Sequence, residues 1–168
     1  KRLTLNPVEE DEFIDKDLTM RDYLSEIILS FKEISKKKFI FNFDQFSNVK
    51  KITKSIEIVY GLRNFIGNAN KFSKNSIYIN LKSDSEFTEI TIEDDGNGYP
   101  KDVLSKIGEP YLRSNDPIDK SKTGLGLGLF IGKTLLEKNF ASINCRNSKT
   151  RTGAEVIIKW NNKDLFNI

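Results

Sequence analysis

Two asparagines, a lysine and a phenylalanine stand at helical spacing in the segment NFIGNANKF, residues 64–72. Asn68 lies four residues after Asn64. Lys71 and Phe72 follow three and four residues later, so an α-helix places the four side chains along one side. An amide oxygen suits Mg²⁺, an ammonium group suits phosphate, and an aromatic ring can lie against a nucleotide base. The alternative is a solvated helix face in a chain rich in asparagine and lysine.

A glycine-rich stretch, TGLGLGLF at residues 123–130, comes just before an apolar segment that is predicted to be helical. Gly124, Gly126 and Gly128 alternate there. Such glycines let backbone N–H groups approach phosphates, and the N-terminus of a helix attracts negative charge. The stretch is not a Walker P-loop, which ends in Gly-Lys-Ser/Thr, nor a Rossmann fingerprint following the first strand. Together with the helix that follows, it indicates a phosphate-binding turn.

The stretch DDGNGY, residues 94–99, directly follows the alternating segment FTEITIE. A calcium loop would continue with alternate acids and end in a glutamate at its twelfth position, but Ser105 stands there. A tight hairpin turn is the simpler alternative. In a nucleotide pocket, Asp94 at the strand end would accept a hydrogen bond from an exocyclic amine such as that of adenine. Gly96 and Gly98 would let a flat base lie close to the backbone.

Hydrophobic periodicity predicts the elements that must position these residues. The first helix begins at a capping box of Thr19 and Asp22, and its apolar stripe extends to Ile34. The predicted helices are 19–37, 53–73 and 127–139, the predicted strands are 39–43, 76–82, 86–94, 141–148 and 153–160, and 100–123 is a predicted loop. We therefore predict an α+β fold, a two-layer α/β sandwich with a mixed sheet of about five strands and about three helices on one face.

The composition excludes several classes of function. The chain of 168 residues contains no histidine, which removes His-based metal sites, Ser/His or Cys/His nucleophile pairs and phosphohistidine within it. The net charge of +3 comes with lysines scattered among acids, so no nucleic-acid-binding stripe is predicted. Cys145 is the single cysteine, which excludes an internal disulfide. Strand alternation places Cys145 on the same face as Ile143, so we expect a buried structural thiol.

The order of the three motifs resembles the N, G1 and G2 boxes of the histidine-kinase catalytic domain. Asn-x-x-x-Asn-Ala-x-Lys-Phe, Asp-x-Gly-x-Gly and Gly-x-Gly-Leu-Gly-Leu follow one another, and the resemblance covers roughly residues 55–160. That domain belongs to the gyrase, Hsp90, histidine-kinase and MutL superfamily, whose ATP-binding (Bergerat) fold is a two-layer sandwich. The strings IGEPYLRSND, GLGLGLFIGKTLLEK and TGAEVIIKW further resemble the RegB/PrrB redox-responsive sensor kinases.

The resemblance implies a role for each matched residue. It implies that Asn68 binds Mg²⁺ and that Lys71 contacts phosphate. Phe72 would form an aromatic wall beside adenine, and Asp94 would accept from the adenine amine. The other implied ATP-binding positions are Asn64, Gly96, Gly98, Gly124, Leu125, Gly126, Leu127 and Gly128.

Residues 108–123 would form the mobile ATP lid. Arg113 in this segment occupies a basic lid position from which it would reach the γ-phosphate, so the implied catalytic residues are Asn64, Lys71 and Arg113. Gly67, Gly108 and Leu125 depart from the residues that many relatives carry, which affects lid packing and affinity more than the fold.

The resemblance also discriminates within the superfamily. The gyrase-, Hsp90- and MutL-like ATPases place a glutamate, the base for water, four residues before the metal asparagine, where this chain has Asn64. An amide is not a base near neutral pH, so ATP would be kept intact for another nucleophile. In histidine kinases that nucleophile is a histidine on a separate dimerisation domain. Residues 1–17 resemble the tail of that domain, 18–162 would be the catalytic domain and 163–168 a C-terminal tail.

The partners implied are the dimerisation domain of the same kinase and a cognate response regulator, with no nucleic acid. The fragment would be monomeric. The full-length protein would be a homodimer anchored in the bacterial inner membrane with this domain in the cytoplasm, and its signalling would be redox-responsive if it follows the RegB/PrrB kinases. Two alternatives remain open, namely a conformational-clamp ATPase and a domain that binds nucleotide without phosphotransfer.

Overall fold

The computed structural model describes residues 18–44, 51–52, 55–107 and 120–166, with the backbone alone described for 120–126. Within these ranges the strands are β1 (Leu18–Thr19), β2 (Lys38–Phe43), β3 (Lys51–Ile52), β4 (Ser76–Ser83), β5 (Phe87–Asp94), β6 (Ser142–Asn147) and β7 (Ala154–Asn161). The helices are α1 (Met20–Lys32), α2 (Ile56–Phe72), α3 (Lys101–Lys106), α4 (Lys120–Lys138) and α5 (Asn162–Leu165).

Five strands form one mixed sheet in the order β2-β4-β5-β7-β6, and β1 pairs separately with β3. β2 runs parallel to β4, while the other neighbours in the large sheet are antiparallel. The helices pack on one side of this sheet, which confirms the predicted two-layer α+β sandwich. The predicted hairpin is also present, since β4 and β5 pair from Ile77 opposite Asp94 to Ser83 opposite Thr88.

Alternation along the strands gives the sheet its apolar, helix-facing side. Ile77 and Ile79 of β4 are fully buried, whereas Tyr78 between them is partly exposed. The buried Trp160 of β7 donates its indole N–H to the carbonyl oxygen of Asn139 at 3.0 Å, which satisfies the polar group of a large apolar side chain. Burial of this face fixes the register of the strands and hence the position of Asp94 at the end of β5.

The first helix begins as predicted and ends early. The Thr19 hydroxyl accepts from the Asp22 N–H at 3.1 Å, and the Asp22 carboxylate accepts from the Thr19 N–H at 3.3 Å. The helix ends two residues before Ile34, so the extension of the apolar stripe to Ile34 is wrong, and Ile34 is 81% exposed. After the helix end, the carbonyl oxygen of Phe31 accepts from the N–H groups of Ile34 and Ser35, and the Ser35 hydroxyl donates to the side-chain oxygen of Asn70 on α2 at 2.7 Å.

Helices α2 and α4 approach closely because glycines face large side chains across their interface. A Cβ atom at Gly61 of α2 would lie 2.7 Å from Leu136 of α4, and a Cβ atom at Gly132 of α4 would lie 2.7 Å from the Phe65 ring of α2. Leu136 and Phe65 are both buried, so each glycine leaves the space that one core side chain fills. This packing holds the asparagine-bearing helix against the glycine-bearing helix.

Helix α4 begins earlier than the sequence predicts. It starts at Lys120 and not at Leu127, so Gly124, Gly126 and Gly128 lie inside the helix. The prediction that these glycines form a turn ahead of the helix N-terminus is therefore wrong. A glycine costs about 1 kcal/mol relative to alanine inside a helix. At Gly128 the absence of a side chain leaves the space that the Asn68 amide of α2 occupies.

A short helix, α3, lies where the sequence predicts a loop. The carbonyl oxygen of Pro100 accepts from the N–H groups of Val103 and Leu104 at 3.1 and 3.0 Å, which starts the helix. Val103 is buried, and Leu104 and Ile107 pack against the same core. These three apolar residues span little more than one helical turn, which is too short to give a clear periodic pattern in the sequence. Most of the predicted lid, residues 108–119, lies outside the described residues.

The chain after β7 folds back as α5. The Asn161 side chain accepts from the Lys163 N–H at 3.1 Å and starts the helix. Leu165 is fully buried, so this part of the segment predicted as a tail packs on the core. Within the described ranges, no helix combines the length and the apolar character that crossing a bilayer requires.

Replacing Gly132 with alanine tests the close approach of α2 and α4. The new methyl group would meet the Phe65 ring at 2.7 Å. We expect the free energy of unfolding to fall by about 1–3 kcal/mol, although alanine is the better helix former. Gly67→Ala is the matched control, because its Cβ would lie 3.4 Å from Phe31 in ordinary contact. Urea denaturation should show Gly67→Ala neutral or slightly stabilising, and equal destabilisation of both variants would contradict the packing.

Candidate functional site

Two neighbouring cavities lie beside the C-terminal half of α2, and both are lined by Asn68. The strand-end cavity, of about 250 Å³, is lined by Phe65, Asn68, Ala69, Phe72, Ile92, Asp94, Asn97, Gly98, Tyr99, Pro100, Ala154 and Val156. The helix cavity, of about 290 Å³, is lined by Arg63, Asn64, Gly67, Asn68, Leu127, Gly128 and Ile131.

Asp94 is the charged residue of the strand-end lining. It occupies the last position of β5 and is 5% exposed. Its Oδ1 accepts from the Gly96 N–H at 2.8 Å and from the Ala154 N–H at 3.3 Å. Burial raises the pKa of Asp94, and these two N–H groups lower it in part. No described residue donates to Oδ2, so one oxygen of the carboxylate is left for a ligand.

Two glycines, Gly96 and Gly153, let the backbone close around Asp94. A Cβ atom at Gly153 would lie 2.1 Å from the Asp94 carbonyl oxygen, and a Cβ atom at Gly96 would lie 2.1 Å from the Phe72 carbonyl oxygen. Gly96 therefore packs against the end of α2, whereas Gly98, with φ of +81°, lines the cavity. The sequence analysis missed Gly153, for which the available signal was a glycine immediately before the last strand.

Asn147 holds the far side of the strand-end cavity through the backbone of Tyr99. Its Oδ1 accepts from the Tyr99 N–H at 2.6 Å, and its Nδ2 donates to the Tyr99 carbonyl oxygen at 3.2 Å. The Tyr99 and Cys145 side chains are neighbours, and burial raises the pKa of both, that of Cys145 to about 11. Cys145 packs against the core but is partly buried, so its predicted burial is incomplete.

A network of polar side chains ties the β6–β7 turn to β5. The Ser148 hydroxyl donates to the buried Glu93 carboxylate, and Arg151 Nε lies 3.4 Å from the same carboxylate. The Arg151 guanidinium also lies 3.5 Å from the centre of the Tyr78 ring. These contacts hold the turn that leads into Ala154, whose N–H reaches the Asp94 carboxylate.

Asp95 closes the turn between α2 and β4. Its carboxylate accepts from the N–H groups of Lys74, Asn75 and Ser76 at 2.8, 3.0 and 3.2 Å. Burial raises the pKa of Asp95, but the three N–H groups outweigh that effect and hold the pKa below its usual value. The two neighbouring acids thus have separate roles, with Asp94 facing the cavity and Asp95 supporting the turn, and the sequence analysis assigned only the first.

Asn68 stands where the two cavities meet. Its Nδ2 is buried and has no hydrogen-bond partner in the described part of the chain. A Cβ atom at Gly128 would lie 2.8 Å from both amide atoms of Asn68, so a side chain at that position would displace the amide. A buried amide without a partner is costly, and a ligand at the junction would supply the missing partner.

The other predicted residues of α2 surround this amide. Asn64 lines the helix cavity, and its Nδ2 donates to the Tyr60 carbonyl oxygen at 2.8 Å. Phe72 lines the strand-end cavity and is 38% exposed as a residue. Lys71 is exposed, outside both linings, and its Nζ lies 5.3 Å from the centre of the Phe72 ring. Its side chain must therefore reorient to meet a ligand.

The remaining predicted residues fall partly outside the described structure. Arg113 lies in residues 108–119, which are outside it. Residues 124–126 have helical backbone in α4, and their side chains are not described. Leu127 and Gly128 line the helix cavity, beside Asn64 and Asn68.

The two cavities together offer an apolar slot at one end and amides at the other. Ile92 and Val156 line the slot with Phe72, and apolar walls of this kind suit a flat ring. The free oxygen of Asp94 suits an N–H donor on that ring. The amides of Asn64 and Asn68 suit a polar extension. Sequence reasoning missed Ile92 and Val156 because buried strand residues near a site have the same pattern as any core residue.

Comparison with known proteins agrees with this geometry. Residues 53–164 match the family described as histidine kinase-, DNA gyrase B-, and HSP90-like ATPase. The chain belongs to this family. Membership implies that the domain binds a nucleotide.

Relatives of this ATPase family member include sensor kinases. The sensor histidine kinase RegB of Cereibacter sphaeroides is 36% identical over 119 residues, which cover 62% of this chain and 26% of RegB. A putative NtrY-like sensor histidine kinase of Rickettsia bellii is 28% identical over 125 residues, or 74% of this chain and 19% of that protein. The chain thus spans about a quarter or less of the length of these relatives.

Solved structures show the same fold. The catalytic domain of the histidine kinase ThkA superposes with a TM-score of 0.70 at 20% identity, covering 87% of this chain and 96% of that domain. Full-length ShkA, determined in complex with AMPPNP, superposes with a TM-score of 0.68 at 16% identity, covering 86% of this chain and 30% of ShkA.

Slow modification of Cys145 by a thiol reagent is expected near neutral pH. Its pKa of about 11, against an ordinary value of 9.0, lowers the thiolate fraction. Because the thiolate is the nucleophile, we expect labelling at about pH 8 to be about 100-fold slower in the native chain than in urea. Stopped-flow absorbance with a chromogenic disulfide measures both rates, and equal rates would contradict the packing of Cys145 against Tyr99.

Proposed function

We propose that this chain is the ATP-binding catalytic domain of a two-component sensor histidine kinase, which presents Mg²⁺·ATP for γ-phosphoryl transfer to a histidine on a separate dimerisation domain. One observation carries the proposal. A free carboxylate oxygen of Asp94 faces an apolar slot, and the unpartnered amide of Asn68 lies at the far end of that slot. The first suits the amine of adenine, and the second suits the polar groups that follow the base in ATP.

The base in the proposed complex occupies the strand-end cavity. Its exocyclic amine donates to Asp94 Oδ2, and Phe72 covers one face of the ring. Gly98, with its positive φ, leaves room for the ring beside the backbone. Guanine carries a carbonyl oxygen where adenine carries the amine, so the carboxylate would repel it. The site therefore selects adenine over guanine, because the Asp94 carboxylate can accept a hydrogen bond from the base but cannot donate one to it.

The phosphates in the proposed complex extend past Asn68 into the helix cavity. Asn68 would hold Mg²⁺ through its amide oxygen together with phosphate oxygens, since Mg²⁺ favours few protein ligands and hard oxygen donors. When bound, the ion neutralises negative charge on the phosphates. Asn64 lines the same cavity, and the exposed Lys71 can swing toward the phosphates. We retain Arg113 as the lid cation that the resemblance implies.

Transfer, rather than hydrolysis, is the reaction that the residues favour. Asn64 stands one helical turn before Asn68 and donates its amide N–H to the Tyr60 carbonyl oxygen, so it offers no base for an attacking water. Catalysis would rest on positioning and on charge neutralisation around the phosphates. The chain has no histidine, so the attacking imidazole must come from another domain.

We extend this proposal to the whole protein by its relatives. A sensor kinase of this kind acts as a homodimer, passes the phosphoryl group to a response regulator and is anchored in the inner membrane with this domain in the cytoplasm. We assign no redox switch to Cys145, because a partly buried thiol with a pKa of about 11 supplies little thiolate near neutral pH.

Asp94→Asn tests the selection of adenine. The substitution keeps the size but removes the charge-assisted acceptor, so we expect ATP binding to weaken by about 1.5–3 kcal/mol. Asp84→Asn is the control, because the Asp84 carboxylate caps the distant β4–β5 turn through the N–H groups of Glu86 and Phe87. Calorimetric titration measures both variants. Unchanged ATP affinity in Asp94→Asn, or equal affinity of the parent chain for GTP and ATP, would refute the assignment.

Labelling with γ-³²P ATP tests the reaction. The chain alone should acquire no acid-labile phosphate, because it has no histidine. Addition of the histidine-bearing domain of the same parent kinase should give label on that domain only.

Asn68→Ala should weaken ATP binding most in the presence of Mg²⁺ and affect adenosine much less, since adenosine has no phosphate to share the ion.

Three results would count against the reaction proposed. Acid-labile label on this chain alone would exclude an external histidine as the acceptor. Steady release of inorganic phosphate without transfer would favour the clamp ATPase. Tight ATP binding without transfer to the added domain would favour a nucleotide-binding domain without kinase activity.

A further inference from the structure

A positively charged side chain, that of Arg63, lines the helix cavity, and the function proposed above gives it no role. Arg63 is the charged residue of that lining, and the lining includes no acid. Arg63 lies one residue before Asn64 on α2, and the sequence analysis predicted no role for it. A cavity whose charge comes from one guanidinium favours an anion.

The Arg63 guanidinium is anchored on one side by α1. Its central carbon lies 5.4 Å from the centre of the Phe31 ring, and its Nη1 donates to the Ser30 hydroxyl at 3.2 Å. The Phe31 ring in turn stacks on Phe39 at a centroid distance of 6.3 Å. These contacts restrict the side chain while using one of its five N–H donors.

Arg63 has no carboxylate partner among the described residues. Arg146 and Arg151 differ in this respect, because they pair with Glu155 and Glu93 at 2.7 and 3.4 Å. A guanidinium that is held in place and free of an acid is suited to forked hydrogen bonds with phosphate oxygens.

We propose that Arg63 binds the terminal phosphates of the nucleotide from the α2 side. This inference rests on the function proposed above and adds a binding residue to it. Asn68 lines both cavities, so a phosphate tail that leaves the strand-end cavity at Asn68 enters the cavity that Arg63 lines. Arg63 is thereby a preplaced cation, whereas Lys71 must first reorient.

Comparison of nucleotides tests the contact. Arg63→Gln, Arg63→Lys and the control Arg21→Gln are titrated with ATP, ADP and adenosine in the presence of Mg²⁺. Arg21 also stacks on a phenylalanine ring, Phe43 at 3.9 Å, but lines neither cavity. We expect Arg63→Gln to weaken ATP binding about tenfold or more and to leave adenosine binding unchanged. Arg63→Lys should lose less, and Arg21→Gln should lose nothing.

The outcomes separate this contact from the proposed function. An unchanged ratio of ATP to adenosine affinity in Arg63→Gln overturns the contact, while ATP binding by the parent chain still supports the function. Failure of the parent chain to bind ATP overturns both. Thermal unfolding without nucleotide shows whether each variant is folded. If Arg63→Gln does not fold, the ratio of ATP to adenosine affinity in Arg63→Lys tests the contact instead. If Arg63→Gln loses phosphoryl transfer but keeps the ratio of ATP to adenosine affinity, Arg63 contacts the acceptor domain and not the phosphates. That result would overturn the phosphate contact.

Discussion

The buried carboxylate of Asp94 is the constraint around which the site is built. A carboxylate removed from water requires hydrogen-bond donors, because desolvation disfavours its charged form. The N–H groups of Gly96 and Ala154 supply them from two separate segments, and the second can approach because Gly153 has no side chain. The register of β5 with β7 brings these segments together. Binding chemistry at this end therefore depends on the pairing of the whole sheet.

A second close approach connects this polar site with the apolar core. Gly132 accommodates the Phe65 ring, and one helical turn earlier Gly128 accommodates the Asn68 amide. Both contacts lie on the same ridge of α4, four residues apart. Packing in the core thus sets the distance at which the asparagine amide meets α4. A change at Gly132 would move the helix that confines Asn68, which ties the stability of the domain to the geometry of its ligand site.

The sequence predicted the sheet, the hairpin and α2 because these have long periodic patterns and clear turn signals. It placed α4 too late because glycine propensity argued for a turn, whereas interhelical packing, which depends on residues far apart in the chain, favoured a helix. It singled out Asp94 and Asn68, whose types are unusual where they stand and which line the cavities of the structure. Gly153 and the Asn147 amide were not identified from the sequence. Their roles arise only because β6, β7 and residues 94–99 lie close together in the folded chain.

The two ends of the site are held by different means. The Asp94 end is fixed by strand pairing and backbone hydrogen bonds, which resist displacement because many bonds must break together. The Asn68 end faces a helix that carries three glycines in five residues, 124–128, each costing about 1 kcal/mol of helix stability relative to alanine. Glycine makes the helical conformation of that part of α4 intrinsically less stable. A nucleotide would therefore meet a base-binding end fixed by strand pairing and, at its charged tail, a helix segment of low intrinsic stability.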